Sequence, residues 1–266
     1  MSTNLLYMEE RRRSILEQLN RLGRVSVRDL SELLSVSTVT IRQDLKALEE
    51  ADLLERTHGG AVLPLPRSNT PERSFDVRLR EHKAVKDALA YEAAARVQSG
   101  FSIALDASTT VFAMLPYLKK LERLLIITNS LVLAQNCLDS PQIEVYMPGG
   151  RLRRDSISLV GKPDELPDIH LNIGFFGAHG IAVEAGITES SLEEVRMKQA
   201  MMQHCLKTCI LVDDRKWGKI APYTLVEAAA VTEIITPASS PAAMLDEFRA
   251  RGANIVTTKA LSGEYS

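Results

Sequence analysis

Apolar residues recur at spacings of three and four along three short stretches near the start of the chain, and later give way to compact apolar runs. Glu9–Leu22 carries Ile15, Leu16, Leu19 and Leu22 as one stripe, which predicts a helix that Gly23 ends. After Val25, Ser26 is placed to cap a second helix, Val27–Leu34, with Leu30, Leu33 and Leu34 on its apolar side. Ser35-Val36 makes a tight connection. A third helix runs from Ser37 to Leu48, with Ser37 as its cap and Val36, Ile41, Leu45 and Leu48 on one face. Two short helices joined by a tight turn, with another packed behind, form a helix-turn-helix. Leu53–Thr57 then reads as a strand, His58-Gly59-Gly60 as a turn and Ala61–Leu63 as the returning strand. That hairpin predicts a wing.

Beyond Pro64-Leu65-Pro66-Arg67-Ser68-Asn69-Thr70-Pro71, a stretch rich in breakers and polar residues, the pattern changes. Phe75–Val97 reads as helical. Strand candidates then follow at Phe101–Leu105, Leu124–Ile127, Ile143–Met147, Ile173–Phe176, Thr208–Val212, Val231–Ile235 and Asn254–Val256. Helical patterns at Val111–Lys119, Leu131–Leu138, Leu192–Cys205 and Pro241–Arg251 separate them. This alternation predicts an α/β domain built on a largely parallel sheet. The expected division is a winged helix-turn-helix over 1–63, a linker over 64–76 and an α/β domain over 77–266.

Composition narrows this little. The 266 residues are 45% hydrophobic and 25% charged, as in ordinary globular chains. The formal net charge of −2 gives no overall attraction to nucleic acid, and residues 1–60 hold nine Lys and Arg against ten Asp and Glu. DNA binding would then be strongly salt-sensitive, and either the domain segregates its charges or its own affinity is modest and two or more copies are needed. Three cysteines without a CxxC pair, no run long enough to span a bilayer and no signal-peptide pattern predict a cytoplasmic protein with reduced thiols.

On the third helix, Ser37, Thr38 and Thr40 offer hydroxyls for phosphates, while Arg42, Gln43 and Lys46 suit base edges or backbone. Arg56 and His58 near the wing tip are further DNA-contact candidates. Asp44, an acid on a helix facing a polyanion, is expected to pair internally with Arg11, Arg12 or Arg13. In the α/β domain, polar loops follow the strands: Asp106-Ala107-Ser108-Thr109-Thr110, Thr128-Asn129-Ser130, Gly149-Gly150-Arg151, Gly177-Ala178-His179-Gly180 and Asp213-Asp214-Arg215-Lys216. Ligands of parallel sheets sit beyond the carboxyl ends of strands, and hydroxyls at helix starts suit phosphate. These loops predict a site for a small anion. Ser108, Thr109, Thr110 and Lys216 suit the anion itself, with Asp106, Asp213, Asn129, Arg151 and Lys198 as further polar candidates for the same cleft. Glu194 and Lys198, four apart on a helix, also fit a plain surface pair. The histidines and cysteines have no metal-ligand spacing, and no cofactor or catalytic residue is expected.

The run Val36-Ser37 … Thr40-Ile41-Arg42-Gln43-Asp44-Leu45 … Leu48-Glu49 … Leu53 … Arg56 … His58-Gly59-Gly60-Ala61 resembles the winged-helix start of the DeoR family of bacterial repressors. That family commonly has two arginines where this chain has Arg42-Gln43. The later segments Asp106 … Ser108-Thr109-Thr110, Thr128-Asn129-Ser130, Pro148-Gly149-Gly150-Arg151, Gly186-Ile187-Thr188, Glu194 … Lys198 and Asp213 … Lys216-Trp217-Gly218 resemble its sensor domain. The family often carries a glycine in the first of these loops and phenylalanine after the lysine. The resemblance implies a sensor fold like ribose-5-phosphate isomerase, operator DNA as partner, a phosphorylated sugar or related metabolite as effector, and a homo-oligomer, dimer or tetramer; with such an effector, Ser108, Thr109, Thr110 and Lys216 are expected to hold the phosphate, Asp106 and Asp213 to accept from sugar hydroxyls, and Asn129, Arg151 and Lys198 to line the same cleft. An isomerase-like enzyme with an appended helical domain is the alternative.

Overall fold

The computed structural model describes residues 8–22, 24–50, 54–57, 59–62 and 75–258. The chain separates into two compact units, Met1–Arg67 and Ser68–Ser266.

The first unit runs α1 (Met8–Leu22), β1 (Arg24–Ser26), α2 (Val27–Leu34), α3 (Thr38–Glu50), β2 (Glu55–Thr57) and β3 (Gly60–Val62). Its core joins Ile15, Leu19, Leu30, Ile41, Leu45 and Leu48, which the helical spacing placed inward, with Val27 and Leu54 added, whereas Leu33, expected on the apolar side of α2, is exposed. Both predicted caps form: Ser26 Oγ accepts from Asp29 N and Ser37 Oγ from Thr40 N, at 3.0 and 3.1 Å. The α2–α3 turn closes through Ser35 in the left-handed region, φ 52°. The wing differs from the expected hairpin. Arg24–Ser26 adds a third strand, so the antiparallel order is β1-β3-β2. A three-residue strand is too short to show period-two alternation. Gly60 is needed there, because a Cβ would lie 1.9 Å from the Val25 carbonyl oxygen.

Asp44 pairs as expected. It is buried, accepting from Arg11 Nε at 2.5 Å and Arg12 Nε at 3.1 Å, and so ties α3 to α1. Asp44→Ala should cost about 1.5–3 kcal/mol of domain stability, since two charge-assisted bonds are lost. Urea unfolding followed by circular dichroism measures it, and a loss below about 0.5 kcal/mol would contradict the assignment.

The second unit opens with α4 (Phe75–Arg80) and α5 (Lys83–Ala94), where one helix over 75–97 was expected. The break is at His82, whose φ of 49° no α-helix accommodates. Phe75 and Asp76, assigned to the linker, are already helical, and Phe75 packs edge-on against Phe112; residues 63–74 lie outside the described residues. The chain continues through β4 (Ser102–Leu105), α6 (Thr109–Phe112), α7 (Leu115–Leu118), β5 (Leu124–Thr128), α8 (Leu131–Asn136) and β6 (Ile143–Tyr146). The single helix expected over 111–119 is thus two four-residue helices.

The hairpin β7 (Gly150–Arg153) and β8 (Ser158–Gly161) precedes β9 (Ile173–Gly177), β10 (Gly180–Ala182), β11 (Gly186–Glu189) and α9 (Leu192–Gln203). The rest is β12 (Thr208–Leu211), β13 (Tyr223–Val226), β14 (Glu233–Pro237), α10 (Ala242–Ala250) and β15 (Ile255–Thr258). All seven predicted strands enter one parallel sheet of order β15-β14-β12-β9-β4-β5-β6. Side chains alternate across it. Ile103, Leu105, Ile126 and Phe175 pack on one face with Leu89 and Val111, while Ala104, Ile127 and Phe176 pack on the other with Met197 and Met201. The hairpin β7–β8 and the antiparallel trio β10-β11-β13 were not foreseen as strands.

The sheet order reverses between β4 and β9. From β4 the chain builds outward through β5 and β6, and from β9 it builds the other way. Such a reversal opens a crevice at the carboxyl ends of the two strands, because their outgoing connections diverge to opposite faces.

Candidate functional site: an exposed helix face and a cationic cleft

On α3 the buried residues Ile41, Asp44, Leu45 and Leu48 share one side. Thr38, Arg42, Gln43 and Lys46 are exposed on the other, with Thr40 half-buried and Ser37 at the cap. The Ser37 and Thr40 hydroxyls lie 2.9 Å apart. Arg56 is on β2, its backbone N–H donating to Glu49 Oε1 at 3.1 Å and its guanidinium 3.6 Å from Glu49. His58 lies outside the described residues.

The second site occupies the crevice. Ser108 ends the β4–α6 loop and Thr109 and Thr110 open α6, Gly177 ends β9 with Ala178 after it, and Leu211 ends β12 with Asp213, Arg215 and Lys216 after it. Arg78, Glu81 and Lys86 reach it from α4, α5 and the turn between them. The cleft encloses about 470 Å³, its open mouth included. Its lining carries four cationic side chains against two acidic ones, a formal balance of +2. Arg215 is largely offset, lying 3.1 Å from Asp213 and 3.5 Å from Glu81. Among the described residues, the Lys216 ammonium has no hydrogen-bond partner. Burial lowers its pKa, with Asp213 and Glu189 opposing. Lys86 donates to the Arg78 carbonyl, and burial brings its pKa down to about 8, with Asp213 opposing.

The loop bearing the hydroxyls is held from beneath. Asp106 is fully buried, and its Oδ1 accepts from Ser108 N at 2.9 Å. Its Oδ2 accepts from Gly177 N at 2.8 Å and lies 2.9 Å from Lys198 Nζ. Lys198 also donates to Glu189 and, at 2.9 Å, to the Gly177 carbonyl. With Asp106, Glu189 and Glu194 around it, its pKa is raised despite burial. Asp106 and Lys198 therefore support the cleft rather than line it, a correction to the roles expected of them. The surface-pair reading of Glu194 and Lys198 is also overturned. Both are buried, and Glu194 lies 3.3 Å from Arg153.

Ala107 and Ser108 occupy the two positions between the acid and the threonines where a glycine was expected, yet neither has a positive φ, so the loop needs no glycine for its conformation. Gly177 is the residue that must be small: a Cβ there would sit 2.5 Å from Ser108 Cβ. Trp217 anchors the other wall, its Nε1 donating to Thr236 Oγ1 at 2.9 Å and its ring edge-on to Phe248. Asp213 both lines the cleft and caps its turn, accepting from Arg215 N at 3.0 Å.

Asn129 and Arg151 do not reach the cleft. Asn129 faces the β7–β8 hairpin, its Nδ2 donating to Leu159 O at 3.3 Å, and Arg151 pairs with Glu193 at 2.5 Å. Conversely, Arg78, Glu81 and Lys86 were missed. They sit in what read as an unbroken helix, and only the bend at His82 turns them to the cleft. Arg215 was visible in its loop but was assigned no role.

Two family models match the chain: a DeoR-like helix-turn-helix domain over residues 11–67 and a DeoR C terminal sensor domain over residues 81–238. The chain belongs to the DeoR family. The HTH-type transcriptional regulator GolR of Listeria innocua is 33% identical over 91% of this chain and 96% of its own. The HTH-type transcriptional repressor GlcR of Bacillus subtilis is 32% identical over 97% of this chain and 100% of its own. The glycerol-3-phosphate regulon repressor of Escherichia coli is 30% identical over 89% and 93%. A solved ribose 5-phosphate isomerase from Plasmodium falciparum has a TM-score of 0.38 at 17% identity, covering 50% of this chain and 52% of that one, a likeness too slight to bear on function. This DeoR-family chain is a DNA-binding transcriptional regulator, and the isomerase-like alternative gives way to relatives named as regulators. Among the described residues no helix is long and apolar enough to cross a membrane.

Proposed function

We propose that this regulator is a cytoplasmic repressor of a carbohydrate-metabolism operon, released or recruited by a phosphorylated sugar bound in the crevice of its α/β domain. The observation that carries this is the convergence of Ser108, Thr109, Thr110, Lys216 and Lys86 at the β4/β9 reversal, with a net positive lining. A phosphate ester carries about −1.5 to −2 charges at neutral pH and several strong acceptors, which this lining complements. Asp213 and Glu81 are the acceptors available to sugar hydroxyls. In this reading residues 1–63 bind DNA and 77–266 sense the effector and assemble the chain into a dimer or tetramer, so that paired heads meet paired half-sites. The name of the glycerol-3-phosphate relative supports a phosphorylated effector.

The test is a thermal-shift screen of the intact chain against sugar phosphates and their unphosphorylated parents. A ligand at a hundred times its Kd should add about 2.7 kcal/mol. A shift with a phosphate and none with its parent is expected, and a parent sugar acting equally well would refute the phosphate assignment.

Operator contact by Arg42 is tested separately. Arg42→Ala should lose about 1–3 kcal/mol of operator affinity and relax preference at one base pair. Fluorescence anisotropy with a labelled duplex measures this, and unchanged affinity would remove Arg42 from the interface.

A further inference from the structure

At about 100° per residue, the buried side chains of α3 fill one arc of the helix and the exposed side chains the opposite one. Thr38, Arg42 and Lys46 form one exposed row, and Val39 and Gln43 form the next. Val39 is the anomaly. The larger apolar side chains on this helix are buried: Ile41, Leu45 and Leu48 lie between 0% and 4% exposed. Val39 is 59% exposed. It has no core to fill, and it sits in the first turn, flanked around the helix by Lys46 and Gln43, at the centre of the polar arc. The N-terminal residues of such a helix are the ones that meet base edges in the major groove.

We propose that Val39 is a specificity-determining residue that packs its methyl groups against the 5-methyl of a thymine in each operator half-site. The chemistry follows from the groove. Among the four base-pair edges, the thymine methyl is the apolar feature, and a branched aliphatic side chain at groove depth desolvates it without leaving a polar group unpaired. Gln43 lies one turn further along the same row, and its amide matches adenine N6 and N7 as a donor–acceptor pair. Val39 and Gln43 together therefore specify an A·T-containing core, with Arg42 on the neighbouring row free to take a guanine. This inference rests on α3 being the helix that enters the groove.

The test uses the full chain and duplexes selected from a random pool. Each thymine of the selected half-site is replaced in turn by uracil, which removes only the methyl group. Wild type should lose about fourfold in affinity at one thymine per half-site, the worth of one buried methyl. Val39→Ala, which alters an exposed position, should bind the thymine duplex about as weakly as wild type binds the uracil duplex, and should be indifferent to the replacement. The proposal is overturned if no single uracil costs wild type more than twofold, or if Val39→Ala keeps wild-type sensitivity. Arg42→Ala, run alongside, separates the two levels. If it weakens binding while uracil does nothing, Val39 alone is misassigned. If it binds as wild type does while one uracil still costs about fourfold, only Arg42 leaves the interface; if neither change moves the affinity, α3 is not the reading helix and the inference falls with it.

Discussion

Lys198→Met is expected to destabilise the α/β domain by about 3–5 kcal/mol. The ammonium neutralises Asp106 and Glu189, both buried, and also binds the Gly177 carbonyl. Methionine keeps the volume but strands two carboxylates, and an uncompensated buried charge costs far more than the pair contributes. Trp217 is the only tryptophan in the sequence and is buried in this domain, so its fluorescence follows the unfolding in urea. The pH dependence has a definite sign. In wild type the raised pKa of Lys198 means that its stabilisation is fully present below the ordinary lysine range and is lost only as strongly alkaline pH deprotonates it. A loss under about 1 kcal/mol at pH 7 would mean that the buried network is not the domain's electrostatic keystone.

Lys216→Ala is expected to weaken a sugar-phosphate effector by about 1.5–3 kcal/mol, tenfold to more than a hundredfold, with little change in operator affinity without effector. Its ammonium is half-buried beside the Ser108–Thr110 loop, and a bound phosphate supplies the acceptor it lacks. Lys86 adds a pH signature. Burial holds its pKa at about 8, and a neighbouring dianion would raise it. Effector binding at pH 8 should therefore take up protons, and affinity should decline as the pH rises through 8. Titration calorimetry in buffers of different ionisation enthalpy reads the uptake directly. Affinity flat from pH 7 to 9 would exclude Lys86 from the phosphate's surroundings. Lys86 also has a stability sign of its own. Its charge is a cost in the folded state that is fully present below pH about 8 and is relieved as the pH rises toward the ordinary lysine value.

These two lysines show where sequence reading succeeds and where it stops. Lys216 follows a strand in a short polar loop, and strand ends in parallel sheets are where ligands collect, so its position along the chain pointed to its place in space. Lys198 lies mid-helix, where spacing alone fitted a solvated pair with Glu194. Its burial comes from β4, β9 and β11, which lie up to roughly a hundred positions earlier and place Asp106, Gly177 and Glu189 around it. Lys86 and Arg78 gave no signal, because a helix that bends at one left-handed residue has the same apolar periodicity as one that does not.

The sequence by itself determined the elements whose signals are local. Helical spacing gave the three N-terminal helices and their caps, since a cap needs only a hydroxyl and the N–H groups two or three residues on. Compact apolar runs gave all seven strands of the parallel sheet, since both faces of that sheet are buried. The Asp44 partner was legible because an acid on a DNA-facing helix needs a cation and three arginines lay close by. The tertiary structure decided what depends on distant segments meeting. It reversed the strand order between β4 and β9, and it bent the chain at His82 to bring Arg78 and Lys86 to the resulting crevice. It also buried Asp106 as a support, and it sent Asn129 and Arg151 to the hairpin instead. Periodicity reports which face of an element is covered. It carries no information about which other element covers it, and the effector cleft is made of those pairings.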